Sequence, residues 1–354
     1  MSDILRESLQ RLHLLVDSSD HARGGEAGSL VQDISAYGLD APEGENAFYL
    51  SLIFDDQFGI LTFLKRTKNA KEFENARGDV LRFLVAYLEK LDVEVLPYIE
   101  MIRECLLSIY IVEKAMRLKT ETINVINELA GNSKYKEKLQ ISDLIQRFLS
   151  ECLKTTQAAS GLRGALYTLM GTLAENYPDM MIDKSDRLLS LYLSFLKQET
   201  SSKRKPELLV VSGCLRGLTG LLVHFTQSQL EGSVHAKEIY RYCKMCIDPN
   251  LGLTRYDVPK AALGLLARHA SQFKESVTDD SRALYEMLNQ WSKSINKEVR
   301  TASLAAIETV LQQVALCIQE KGKGGKTEYI TILKVFTVNF LLTSFNSDYL
   351  TIRN

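Results

Sequence analysis

The chain has 354 residues, of which 45% are hydrophobic, 25% charged and 8% aromatic, and its 6 prolines and 20 glycines are too few for collagen-like, disordered or many-stranded sandwich classes. Leucine fills 54 positions, so the reading is all-helical with a buried core. Lys+Arg 43 against Asp+Glu 44 gives a formal net charge of −1, which removes any overall electrostatic drive toward nucleic acid or a membrane surface.

The distribution of charge says more than its sum. Residues 1–58 hold 11 acidic and 3 basic side chains, and the remainder of the chain carries a net +7. Residues 1–46 read as an acidic N-terminal cap, partly irregular, with helices around Ile4–Val16 and Leu30–Leu39 and Gly/Pro/acidic breaks at Gly24–Gly28 and Asp40–Glu45. Asp3, Arg6, Glu7 and Arg11 interrupt the leucines of Met1–Val16, unlike a signal peptide, and no Asn-x-Ser/Thr sequon occurs, so secretion is not expected.

Residues 47–320 contain a repeat. Apolar triplets at i, i+3, i+7 recur as Leu81/Leu84/Leu88, Ile123/Ile126/Ala130, Leu166/Leu169/Leu173, Leu215/Leu218/Leu222, Leu263/Leu266/Ala270 and Leu304/Ile307/Leu311, their first members 42, 43, 49, 48 and 41 residues apart. Between triplets lie further amphipathic stretches, Leu139–Leu153, Arg187–Leu196, Val234–Ile247 and Ser281–Ile295, so each period predicts two helices. Pro97, Pro178, Pro206, Pro249 and Pro259 fall near predicted helix ends or first turns, where a missing N–H costs least. A two-helix unit of this length has the HEAT or armadillo pattern, in which one hairpin cannot bury its own apolar face and must stack on neighbours. Asn296–Ile307 reads as the second helix of such a unit, with alanines for close approach and Arg300 near its start. The expected fold is an all-α solenoid of HEAT-like helical hairpin repeats.

Residues 321–354 read as a basic loop, Lys321–Lys326, and an incomplete terminal repeat. Tyr329–Phe345 is apolar but contains Lys334, Asn339 and several threonines, too polar and too short for a membrane span, so no membrane partner is expected. A solenoid normally closes on a polar-faced cap, and the nine residues after Phe345 supply none, so the sequence reads as a fragment cut in mid-array.

Motifs that carry chemistry are weak. Glu320-Lys-Gly-Lys-Gly-Gly-Lys-Thr327 approaches a phosphate-binding loop, yet Glu320 occupies the first required glycine position and a helix precedes it, so a flexible loop is expected. Cys243-Lys-Met-Cys246 has zinc-ligand spacing without a second pair of ligands, and His224 and His269 lie in apolar helical context with no partner fixed by spacing. No catalytic, cofactor or metal site is expected, and six scattered cysteines in a chain of this size fit a reducing compartment. Basic clusters do recur at predicted loops: Lys65/Arg66/Lys68/Lys71, Lys134/Lys136/Lys138, Lys203/Arg204/Lys205 and Lys321/Lys323/Lys326. Stacked hairpins would repeat such loops along one rim, able to track a phosphate backbone without reading bases; Lys65, Arg66, Lys68, Lys134, Lys136, Lys138, Lys203, Arg204 and Lys205 are the candidate DNA-binding residues. Lys203-Arg204-Lys205-Pro206 also has the character of a nuclear-import patch, and the Ser/Thr-Gln pairs at Thr156, Thr226, Ser228 and Ser271 read as chance.

Several uninterrupted strings carry a resemblance: Asp56-Gln-Phe-Gly-Ile-Leu-Thr-Phe63, Leu81-Arg-Phe-Leu84 with Leu88-Glu-Lys90, Gly213-Cys-Leu-Arg-Gly-Leu218, Phe225-Thr226, Arg255-Tyr-Asp-Val-Pro259 and His269-Ala-Ser-Gln-Phe273. From about Leu50 to about Val314 the sequence resembles the N-terminal region of the DNA-dependent protein kinase catalytic subunits, within the lipid-kinase-related protein kinases. That resemblance implies a nuclear arm of a very large repeat protein, a non-catalytic scaffold for double-stranded DNA ends and the Ku heterodimer in non-homologous end joining, continuous with the rest of the kinase solenoid. It also implies that ATP and Mg serve only a distant serine/threonine kinase domain, with no cofactor held by this segment. The alternative is a generic HEAT-repeat adaptor or nuclear-transport scaffold that binds peptides along a concave face. An enzyme in its own right is the least supported reading, since no catalytic motif is present.

Overall fold

The computed structural model describes residues 2–18, 23–42, 44–91, 93–154, 158–201, 205–225, 234–249 and 255–321. Every regular element among them is helical, and the chain divides into two compact units, Met1–Asn176 and Tyr177–Asn354.

The first unit contains α1 (Ser2–Asp17), α2 (Arg23–Leu39), α3 (Asn46–Ile53), α4 (Ile60–Arg66), α5 (Glu74–Lys90), α6 (Ile99–Val112), α7 (Met116–Gly131), α8 (Lys136–Leu139), α9 (Ile141–Lys154) and α10 (Ser160–Asn176). Helices α2, α5, α7 and α10 pack side by side in one row, and α1, α4, α6 and α9 lie on the other side as their hairpin partners. The row α5, α7, α10 is built from the triplet helices. Leu81, Leu84 and Leu88, Ile123, Ile126 and Ala130, and Leu166, Leu169 and Leu173 are all buried, each fully buried leucine worth about 1.5–3 kcal/mol of transfer free energy. The period in the sequence therefore marks the second helix of each hairpin, the helix that neighbours clamp on two sides.

Polar ends are satisfied locally. The Asp55 carboxylate accepts from the amides of Gln57 and Phe58 at 2.9 and 2.7 Å, opening the turn into α4. Asn132 does the same for Lys134 at 3.1 Å, and Gln140, at φ 48°, turns the chain from α8 into α9.

One expectation fails in the acidic leader. Gly24–Gly28 is no break: it forms the first turns of α2, and α1/α2 is an ordinary helical hairpin whose second helix packs on α5. A Cβ on Gly24 would collide with the carbonyl of Glu72, so this glycine lets the helix start approach the turn before α5. Glycine here serves close packing and not chain reversal.

In the second unit α11 (Pro178–Met181) begins with Pro178 at its first position and leads into α12 (Ser185–Ser201), α13 (Leu208–Leu221), α14 (Val234–Ile247), α15 (Asp257–His269), α16 (Lys274–Asp279), α17 (Ser281–Trp291) and α18 (Lys297–Lys321). Helices α13, α15 and α18 form the packed row, flanked by α12, α14 and α17. Asn296 caps α18 through Val299 N–H at 3.0 Å, as its sequence suggests. The last triplet is displaced, however. Leu304 and Leu311 are only half-buried, and only its middle member, Ile307, is buried, on a core face with Val299, Ser303, Ala306, Val310, Val314 and Cys317. Residues 322–354, which hold the basic loop and the Tyr329–Phe345 stretch, lie outside the described residues. Among the described residues no helix is long and apolar enough to cross a membrane.

Candidate nucleic-acid interface

Antiparallel hairpins stacked in two rows give each unit two polar edges. Turns from the first to the second helix of a hairpin gather at one, the turn edge, and links from one hairpin to the next gather at the other, the connection edge. Side-chain bonds confirm the sorting in the first unit. Arg77, in the first turn of α5, donates to Glu113 Oε2 at 2.5 Å, and Arg117 donates to Asn75 Oδ1 at 2.9 Å; both join the turn before α5 to the turn before α7. At the opposite edge Arg103, near the start of α6, donates to the carbonyl of Lys138 at 3.4 Å.

The predicted basic residues do not share a rim. Lys65, Arg66, Lys68 and Lys71 are exposed on the turn edge, whereas Lys134, Lys136 and Lys138 are exposed on the connection edge, around α8. The two clusters resemble each other in sequence, but one follows a first helix and the other a second, and antiparallel packing sends these to opposite ends. Lys205 is exposed on the turn edge of the second unit, and Lys203 and Arg204 lie outside the described residues. Arg66 is also committed elsewhere. Its guanidinium donates to Asp17 Oδ1 at 2.5 Å and to His13 Nδ1 at 3.1 Å, while His13 Nε2 lies 3.2 Å from the Gly59 carbonyl it serves as donor. This arrangement selects the neutral Nε2–H tautomer, and burial first, with nearby Arg66 adding to it, holds the His13 pKa below its ordinary value.

The geometry adds cations that the sequence reading passed over. Lys114, Arg117 and Lys154 are exposed at the next two turns of the same edge. They stand singly in the sequence, and only the alignment of turns places them beside Lys65, Lys68 and Lys71. Counted over its last three turns (described residues of 65–74, 112–119 and 154–160), the turn edge has 8 cations and 3 carboxylates; over the described residues of 40–59, 89–104 and 131–143, the connection edge has 5 cations and 10 carboxylates. Two of the three turn-edge carboxylates are already neutralised, Glu113 by Arg77 and Glu72 by Arg23 at 2.5 Å; the Glu72 carboxyl is held below its usual range by its own backbone amide and by Arg23. In the second unit the same tally gives 6 cations to 5 carboxylates among the described residues of the turn edge (197–208, 248–257, 292–300). Its connection edge (177–186, 222–238, 270–282) has 4 to 7 among the described residues. The polarity has the same sense and is weaker.

The other motifs resolve into structure. Cys243 and Cys246 are buried in α14, and burial pushes both thiols up, Cys246 to about 12, which leaves them protonated and unreactive. His269 Nε2 lies 2.7 Å from the Thr219 carbonyl, and Gln272 donates to the carbonyls of Leu222 and Phe225 at 3.1 and 2.8 Å, so the string His269–Phe273 ties α15 to the end of α13. His224 is half-buried on the 3-10 turn that follows α13. Among the described residues no group of three or more His, Cys, Asp or Glu is placed to hold a metal ion.

Stacked helical hairpins with unlike charge on their two edges define the class, a HEAT-like helical-repeat protein. The sequence model of the family described as DNA-PKcs, N-terminal matches residues 47–348. The DNA-dependent protein kinase catalytic subunit of Canis lupus familiaris is 33% identical over 294 residues, 82% of this chain and 7% of that protein. Those of Xenopus laevis and Mus musculus are each 31% identical, over 91% and 92% of this chain and 8% of theirs. The chain belongs to the DNA-PKcs N-terminal family and spans 7–8% of the length of these relatives. A solved structure of Kap95p with RanGDP superposes at a TM-score of 0.46 with 14% identity, covering 87% of this chain and 42% of that one, too loose a likeness to carry an argument.

Proposed function

We propose that this chain is a non-catalytic helical-repeat arm of a DNA-dependent protein kinase catalytic subunit, working in the nucleus as a scaffold for double-stranded DNA ends and the Ku heterodimer in break repair by non-homologous end joining. The observation that carries the reading is the cationic turn edge of the first unit, found in a chain whose family is that of a DNA-dependent enzyme. Turns that present lysines suit contact with phosphates and give affinity without base reading. ATP and Mg belong in this reading to a kinase domain elsewhere in the protein, and the rest of the kinase solenoid is a constitutive partner.

The test is fluorescence anisotropy with labelled blunt-ended duplexes of unrelated sequence, in 50 and 200 mM salt, followed by capture on Ku-bound duplex. Equal affinities for the different sequences, falling by about five-hundredfold across that salt range for five phosphate contacts, are expected. A folded chain that shows no duplex binding in 50 mM salt and no retention by Ku on DNA would end the proposal.

A further inference from the structure

We infer that the phosphate-tracking surface of this arm is the turn edge of the first unit, formed by Lys65, Lys68, Lys71, Lys114 and Lys154, and that the predicted cluster Lys134/Lys136/Lys138 lies off the DNA. The inference rests on the reading of the chain as a DNA-binding arm and says where on it the backbone runs.

The five lysines are exposed, sit at three successive hairpin turns, and make no ion pair among the described residues. Their neighbours of like charge are already spoken for: Arg66 is held by Asp17 and His13, Arg77 by Glu113, and Arg23 by Glu72. What remains on this edge is therefore mobile ammonium charge, the form that gains most by displacing counterions from a phosphate. Second-row helices packed about 8–10 Å apart set three turns over about 20 Å. One DNA strand places a phosphate every 3.4 Å or so along the duplex axis, so this length passes roughly six phosphates of a single strand. About half a helical turn passes along this length, so the edge can meet the phosphates that face it from both strands as the duplex lies along the stacking direction. The opposite edge gives its three lysines twice as many carboxylates as cations for company, and a phosphate approaching them meets repulsion from Glu137, Glu104 and Glu100, all exposed.

Two triple variants of equal charge change decide the matter, in the 354-residue chain with folding checked by circular dichroism. Lys65→Ala/Lys114→Ala/Lys154→Ala removes one lysine from each turn, and Lys134→Ala/Lys136→Ala/Lys138→Ala removes the other cluster. Anisotropy with a labelled blunt 30-base-pair duplex across 50–200 mM salt is expected to show, for the first triple, a salt slope reduced by about 3 and affinity at least tenfold weaker in 50 mM salt. The second triple should bind within about twofold of the parent, because its lysines release no counterions to DNA. If the parent binds and the first triple binds equally well, or the second triple loses as much as the first, the edge assignment is wrong while the arm reading stands. If the folded parent does not bind the duplex, both fall together.

Discussion

The carboxylate of Glu113 accepts from the amides of Lys114 and Ala115 through one oxygen, at 2.9 Å each, and from Arg77 through the other. Arg77 in turn reaches the Ala70 carbonyl at 3.4 Å, so one buried pair closes the turn before α5 onto the turn before α7. Both side chains are almost fully buried, 3% and 4% exposed, so removal of either leaves a desolvated charge. Glu113→Ala is expected to cost about 3–5 kcal/mol in urea unfolding, and an apolar pair, Arg77→Met with Glu113→Leu, to restore part of it. Tyr87 presents the opposite case. Its ring packs on Phe83 and Phe54, but its hydroxyl is buried without a hydrogen-bond partner among the described residues, so Tyr87→Phe should raise stability by about 1 kcal/mol. His13 supplies a pH dependence. Its folded pKa is lowered, so the unfolded chain takes up a proton below its ordinary value of 6.5 that the folded chain refuses. Stability is full above pH 6.5 and declines as pH falls from there, by up to about 1.4 kcal/mol per pH unit for one proton. His13→Gln should flatten the urea midpoint between pH 6.5 and 5; an unchanged slope would assign the dependence to other groups.

Among helices, the contrast between Gly24 and Gly28 tests why α2 begins with glycines. A methyl on Gly24 meets the Glu72 backbone, whereas one on Gly28 has only ordinary contact, 4.0 Å from the Asp79 carboxylate. Gly24→Ala is expected to destabilise by about 1–3 kcal/mol, and Gly28→Ala to stabilise by about 0.5–1 kcal/mol through helix propensity. Opposite signs in thermal unfolding would show that the leader is a packed hairpin; equal small effects would show that its helix start is loose. The second helices also share a device. Four residues before the first triplet member stand Arg77 in α5 and Arg300 in α18, and Arg300 donates to the carbonyls of Ser294 and Ile295 at 2.7 and 3.0 Å as Arg77 does to its own turn. Along each row, Thr309 bonds the Ala267 carbonyl at 2.8 Å and Trp291 the Ile247 carbonyl at 2.6 Å, so neighbouring hairpins are registered by polar ties as well as by leucines.

Across the chain, a net charge of −1 conceals edges of unlike sign, and local charge is what a polyanion meets within a Debye length of about 8–10 Å. The six cysteines are all buried and free, and burial raises the thiols of Cys105 and Cys246 to about 12. None should react rapidly with a thiol reagent in the folded chain, and all six should on denaturation. A fast native fraction would place at least one of them at an accessible surface.

The helical hairpins were legible because leucine spacing at 3.6 residues per turn is written locally, and the six triplets located the second helix of each hairpin after the first. The leader was less legible, since glycine reads as a break in one dimension and as a close contact only when Glu72 lies opposite. The last triplet misled for a similar reason: Leu304 and Leu311 have the right spacing, but burial of α18 follows the faces of α15 and α17. Of the candidate interface, the cluster at Lys65–Lys71 was visible as a run, while Lys114 and Lys154 were not.

Spacing and composition by themselves determined that this chain folds into stacked helical pairs, because each amphipathic segment records which of its faces must leave water. Only the packed molecule decided which cations stand together. Reversing direction at every hairpin sends neighbouring loops in the sequence to opposite edges, and salt bridges such as Arg66 to Asp17 settle which charges are left to meet a partner.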